Sequence, residues 1–196
     1  MSDLADRRRA MRLVLRERRA ALDEDDQAAA SMAVMARLAR LPVLGRAQLV
    51  AGYRGIRGEV DIDAALTLLL EGGTIVTVPR VEGHAMSFLP WLPEAATIAG
   101  SFGIDEPIEG EPVPFGFHDV VLVPLVAFDG RGQRLGQGGG FYDRAIAGCA
   151  DPRPTLIGVA HAFQQVEEVP AESWDMPLDA VVTEDAVHEF RPGCLD

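Results

Sequence analysis

Apolar residues at Leu4, Met11, Val14, Leu15 and Leu22 recur at helical spacing with arginines between them, which predicts a first helix over residues 3–22. Asp23 stands where an N-cap belongs, and the Ala- and Met-rich stretch after it predicts a second helix to about Arg40, stopped by Pro42. There the period changes. Residues 48–53 read as a strand, Asp61 caps a helix running to residue 70, and Gly72-Gly73 ends it. Residues 74–79 and 86–89 read as two more strands. Residues 90–117, rich in Pro, Gly and Glu, are expected to form a long surface loop over a site. Residues 119–128 predict one buried strand, 141–149 a helix, and 155–160 and 178–183 further strands. Strands alternating with helices imply an α/β fold built on a mostly parallel sheet flanked by helices. No internal repeat or linker divides the chain, so residues 1–196 are expected to form a single domain, with 1–42 as a helical pair packed on the α/β body.

Composition adds limits. The chain has 196 residues, 48% of them apolar, enough for a sizeable core. No apolar run is long enough to span a bilayer, and the first residues lack the apolar stretch of a signal peptide. Asp3, Asp6 and Glu17 among the early arginines argue against a transit peptide. Cys149 and Cys194 have neither metal nor redox spacing and are expected to be free thiols. A cytoplasmic location is the expectation.

Charge changes the picture more. The formal net charge of -12 disfavours sequence-independent binding to nucleic acid or to an anionic membrane. Residues 1–20 nevertheless hold seven arginines against three acids, a +4 segment on a body of -16. Such a helix is either a solvated basic face or a source of cations for an anionic ligand. All 18 basic residues are arginine. That excludes Schiff bases, pyridoxal phosphate attachment and the P-loop lysine, and leaves any phosphate to planar, bidentate guanidinium groups.

The sharpest motif is Asp129-Gly-Arg-Gly-Gln-Arg-Leu-Gly-Gln-Gly-Gly-Gly-Phe-Tyr-Asp-Arg144, with six glycines between the predicted strand and helix. Glycines let backbone N–H groups approach a ligand, and a helix start favours anions. A flexible hairpin tip is the plain alternative. The order Arg134-Leu-Gly-Gln-Gly-Gly-Gly-Phe-Tyr-Asp143 goes further, because it closely resembles the signature of the 5-formyltetrahydrofolate cyclo-ligase family. Other segments resemble that family in order and spacing: the arginine-rich first helix, Gly58-Glu-Val-Asp61, Pro79-Arg80, Phe102-Gly-Ile-Asp-Glu-Pro107, Gly158-Val-Ala-His161 and Trp174-Asp-Met-Pro-Leu-Asp179.

The resemblance implies a Rossmann-like three-layer arrangement, similar to the sugar-phosphate isomerase and CoA-transferase group. It implies ATP-dependent closure of 5-formyltetrahydrofolate to 5,10-methenyltetrahydrofolate by a monomer whose partners are these small molecules. It places ATP on Arg8, Arg12, Arg134, Leu135, Gly136, Gln137, Gly138, Gly139, Gly140, Phe141 and Tyr142. The folate falls to Glu59, Phe102, Gln137, Gly138, Gly139, Gly140 and Phe141, and catalysis to Arg134 and Tyr142. Magnesium (Mg2+) falls to Asp143 and Asp175, with Asp179 as a second choice for the latter. Two positions depart from the family's usual pattern: Arg8 stands in place of lysine and Phe141 in place of tyrosine. Plain roles exist beside each of these. Asp143 and Asp175 suit a helix start and a turn, Glu59 suits a capping residue, and His161 suits a satisfied structural histidine. A relative that binds without turnover, and a sugar-phosphate isomerase or CoA-transferase relative, are the competing functions; the latter leaves residues 134–143 unexplained.

Overall fold

The computed structural model describes residues 2–100, 103–172 and 175–196. Helices α1 (Ser2–Ala20), α2 (Glu24–Leu38) and α3 (Pro42–Arg46) precede strand β1 (Leu49–Ala51). Helix α4 (Asp63–Glu71) leads to β2 (Ile75–Glu82) and β3 (Ala85–Pro90), then to a small pair, β4 (Thr97–Ala99) and β5 (Asp105–Pro107). Next come β6 (Val120–Pro124), β7 (Ala127–Phe128), β8 (Arg134–Leu135), α5 (Phe141–Ala147), β9 (Thr155–Val159), β10 (Ala180–Val182) and β11 (Val187–Glu189).

The main sheet has the order β11-β10-β9-β6-β1-β2-β3. Strands β10, β9, β6, β1 and β2 run parallel, and β11 and β3 are antiparallel at the two edges. Alternation along the strands explains the two faces. Val120 and Leu122 point to a cluster with Val34 and Leu38 of α2, Leu44 of α3 and Leu66 of α4. Val121 and Val123 point the other way, to Ile146 of α5, Phe88 and Leu178. Buried on both faces, the central strands read as continuous apolar runs, which is why the sequence located them.

Local chemistry sets the ends. The Asp23 carboxylate accepts the Asp26 N–H at 2.8 Å and caps α2. Pro42 sits at the first turn of α3, so it starts a helix as well as ending the one before. Asp61 accepts the Asp63 N–H at 2.8 Å but stands one residue before the α4 N-cap, Ile62. On α1, Val14 is exposed whereas Leu15 is buried, and Arg8, Arg12, Arg16 and Arg19 lie on the packed side. The Asp175 carboxylate and backbone carbonyls there accept the guanidinium donors.

Three expectations are corrected. The run 119–128 is two strands, because Pro124 offers no N–H to continue the ladder and the chain turns out of the main sheet. Strands β7 and β8 then pair antiparallel, so Gly130 and Gly132 belong to a hairpin tip while residues 136–140 form a separate loop before α5. The segment 90–117 is not one open loop; it carries β4, β5 and a 3-10 turn at Phe115–Phe117. Strand β11 was not anticipated, since Val187–Glu189 is short and mostly exposed.

Asp129 holds the hairpin tip in place. Its fully buried carboxylate accepts the Arg131 N–H at 2.9 Å, the Val169 N–H at 3.1 Å, the Gln133 N–H at 3.2 Å and the Arg131 guanidinium at 3.0 Å. Burial opposes its charge, but these donors outweigh burial and hold its pKa below the ordinary value. Stability from a lowered pKa is present above the unfolded value and lost as the pH falls through the folded one. Asp129→Asn should therefore cost about 2 kcal/mol at neutral pH. In urea titrations the gap to the parent should narrow below about pH 4.

Candidate active site

The strand order reverses between β2-β1 and β6, and open parallel sheets bind ligands in the crevice beyond the carboxyl ends of the strands at such a point. A cavity of about 790 Å³ lies here. Its walls come from the loop after β1 (Tyr53, Arg54, Ile56, Arg57, Glu59), the end of β2 (Pro79, Val81), the inner face of α1 and residues 134–144. Seven arginines and three acids line it, so a chain of strongly negative net charge focuses positive potential on one cleft.

Helix α1 contributes Arg8, Arg12 and Arg16, each one turn from the next. Arg8 donates to the Pro170 carbonyl at 2.6 Å and pairs with Asp175. Arg12 donates to the Gly136 carbonyl at 2.9 Å. Burial, then repulsion from Arg16 and Arg8, lowers the Arg12 pKa, so an arriving anion would relieve it. Arg16 donates to the Gln137 carbonyl at 2.7 Å and to Gln137 Oε1 at 2.6 Å. It was missed in the sequence, although four-residue spacing from Arg12 was the available signal. Arg54 and Arg57 were missed too, since isolated arginines in a loop give no such signal, and Arg144 of α5 was passed over although it closes the glycine motif.

Gln137 in turn donates to Glu59 Oε1 at 2.6 Å. The Glu59 side chain is 6% exposed and lies 3.4 Å from the Arg19 guanidinium. Burial pushes its pKa up, against the pull of Arg19 and Gln137. One chain of polar contacts thus joins α1, the glycine loop and the loop after β1.

Within residues 134–143, Arg134 donates to Asp143 Oδ1 at 2.5 Å and to the Met176 carbonyl. Gly138 and Gly140 adopt φ +105° and +64°, whereas Gly139 does not have positive φ, and a Cβ there would fall 2.5 Å from the Phe141 ring. Leu135 is buried and lines the floor with Gly136. Arg144 stacks over Phe141, 5.0 Å from the ring centroid. The Tyr142 hydroxyl is buried without a hydrogen-bond partner among the described residues. Burial, then the nearby Glu59 charge, raises its pKa, so the hydroxyl keeps its proton.

Asp143 and Asp175 both line the cavity, with side chains 41% and 13% exposed. Asp179 does not line it. Its buried carboxylate is held by Arg153 and Arg191 and accepts the Leu156 N–H at 2.7 Å. Phe102 lies outside the described residues. Groups of three or more metal-ligating side chains are absent among the described residues. A magnesium ion at Asp143 would therefore draw its other oxygens from phosphate and water, the ordinary habit of that ion. None of the described helices is long and apolar enough to cross a membrane.

A sequence model of the 5-formyltetrahydrofolate cyclo-ligase family matches residues 5–184. The chain belongs to that family. It is 35% identical over 182 residues to the 5-formyltetrahydrofolate cyclo-ligase of Escherichia coli, covering 90% of this chain and 100% of the relative. It is 32% identical over 184 residues to the cyclo-ligase of Mycolicibacterium smegmatis, covering 88% and 91%. Among solved structures, the 5,10-methenyltetrahydrofolate synthetase of Aquifex aeolicus superposes with a TM-score of 0.84 at 36% identity, covering 95% of this chain and 94% of that one. A synthetase from Mycoplasma pneumoniae, at 24% identity and a TM-score of 0.74, shares the fold over 90% and 98% of the two chains. For a cyclo-ligase, the residues of the signature and the first-helix arginines fall together in one cleft.

Proposed function

We propose that this protein closes 5-formyltetrahydrofolate to 5,10-methenyltetrahydrofolate with ATP, releasing ADP and phosphate. The observation that supports it most is the meeting of residues 134–143, Glu59 and the α1 arginines in one cavity of a cyclo-ligase family member. The formyl oxygen is a poor leaving group. Transfer of the terminal phosphoryl group of ATP to that oxygen turns it into a good one. The nitrogen at position 10 of the folate then attacks the formyl carbon, phosphate leaves with the C–O bond electrons, and that nitrogen loses its proton. The protein needs no nucleophile, only alignment and charge compensation.

Each residue has a part in that scheme. Backbone N–H groups of residues 136–140 with Arg8, Arg12 and Arg134 hold the phosphates, with Leu135, Phe141 and Tyr142 against the nucleotide. Glu59, Gln137 and Phe141 face the folate. Arg134 sits where charge develops, and the Tyr142 hydroxyl donates to the reacting pair. Asp143, with Asp175, would hold Mg2+, which neutralises phosphate charge when bound. Both carboxylates are paired with arginine, which holds them at the cavity edge. The finer fold reading, a Rossmann-like three-layer unit with residues 1–42 docked as a helical pair, is supported by the two-faced core and by α1 packing on β7 and β8. A monomer in the cytoplasm, acting on these two small molecules, completes the proposal.

The test is the absorbance of the methenyl product with and without ATP; product must form only with ATP. A companion prediction concerns α1. Arg12→Ala should weaken ATP binding about tenfold or more, because a charge-assisted contact is lost, with folate affinity changed less than about twofold. Calorimetric titration with ATP checks it, and an unchanged affinity would make Arg12 a structural link to Gly136 alone.

A further inference from the structure

We propose that His161 is a positioning residue for Glu59, acting with Arg19 through a left-handed turn at Arg57 and Gly58. Arg57 has φ +51° and Gly58 φ +75°. Among the described residues Arg57 is the one non-glycine in that region. Two successive left-handed residues persist only where the surroundings hold them. Here each carbonyl is held by a buried side chain from elsewhere in the chain. Arg19 Nε donates to the Arg57 carbonyl at 3.1 Å, and His161 Nε2 donates to the Gly58 carbonyl at 2.9 Å. Arg19 is 1% and His161 2% exposed.

His161 is itself fixed. Its side chain accepts the Gln164 N–H, Gln164 Oε1 accepts the His161 N–H at 2.8 Å, and the ring stacks on Phe163 at 5.4 Å. A carbonyl only accepts and an amide N–H only donates, so the ring is neutral with its proton on Nε2. Burial lowers its pKa in the same sense. The next residue after the clamped turn is Glu59. Its N–H donates to the Ile56 carbonyl at 3.0 Å and its carboxylate accepts the Ile56 N–H at 3.3 Å, so the loop closes on itself around the turn. The same Arg19 that holds Arg57 also faces the Glu59 carboxylate. Shifting the turn would move the Glu59 carboxylate relative to the cavity, together with Arg57 in the same stretch of wall. Packing alone would not require a histidine to reach the carbonyl beside Glu59.

The role of His161 rests on the reading that Glu59 contacts the folate. Asparagine keeps the cap acceptor for the Gln164 N–H but is too short to reach Gly58. His161→Asn should raise KM for 5-formyltetrahydrofolate about tenfold, with KM for ATP and kcat within about twofold. His161→Gln, long enough to return a donor to Gly58, should recover most of the loss. Gly58→Ala disturbs the same turn from its other side, because its Cβ would stand 3.0 Å from the Arg19 carbonyl, and should reproduce the effect should His161→Asn fold poorly. Glu59→Gln should raise the folate KM by itself, and His161→Asn added to it should then change little. A parental folate KM in His161→Asn and Gly58→Ala, or a full tenfold effect on top of Glu59→Gln, overturns the clamp. If Glu59→Gln alone keeps the parental KM, the assignment of Glu59 fails and the clamp with it.

Discussion

Gly138→Val should reduce cyclisation by about 100-fold or more while the protein melts within a few degrees of the parent. Gly138 holds φ +105°, a conformation that side chains with a Cβ rarely adopt, and a Cβ there would lie 3.6 Å from the Arg12 guanidinium carbon. A β-branched residue would force the peptide to rotate, turning its N–H groups away from the cavity, and would press on Arg12 as well. The loop packs few core side chains, so the cost falls on geometry and not on the fold. Gly130→Ala is the contrast. Gly130 is in the hairpin tip, has no positive φ, and a Cβ would meet nothing within 4 Å. It should behave like the parent, because only the second half of the glycine motif borders the cavity. Equal losses in both variants would mean that the loop acts through stability.

Asp143→Asn should lower turnover by roughly two orders of magnitude at limiting magnesium, with partial recovery as magnesium is raised. The amide keeps the shape and one acceptor for Arg134, whose side chain is 4% exposed and still donates to the Met176 carbonyl. The fold should therefore survive. What is lost is a negative charge 2.5 Å from a buried guanidinium and beside the proposed phosphate cradle. Turnover measured against magnesium concentration decides it. Near-parental activity at limiting magnesium would reduce Asp143 to the ion-pair partner of Arg134.

How much of this was legible depended on whether the signal was local. The strands β6 and β9 were readable because both faces are buried, and α2 because Asp23 supplies its cap. The break after Pro124 was not, since Leu125, Val126, Ala127 and Phe128 continue the apolar run and only tertiary pairing with β8 shows that they leave the sheet. The same pairing divides the glycines into a structural tip and a cavity loop. On α1, Val14 shares the apolar spacing yet is exposed, because the packed face is set by arginines that reach carbonyls and carboxylates on distant segments. The site residues themselves came from the resemblance of residues 134–143 and the first helix to a family, and the structure brings Arg8, Arg12, Glu59, Asp143 and Asp175 to one cavity. The clamp of His161 on Gly58 spans 103 positions and leaves no trace in any local pattern.

The central claim is that ATP is consumed because the formyl group is activated. The most direct measurement is the ADP released when 5-formyltetrahydrofolate is added to the protein with ATP and magnesium, followed together with methenyl absorbance. One ADP for each methenyl product, with ADP release negligible before the folate is added, is the predicted result. Methenyl product without ADP, or binding of both substrates with neither product, would contradict it.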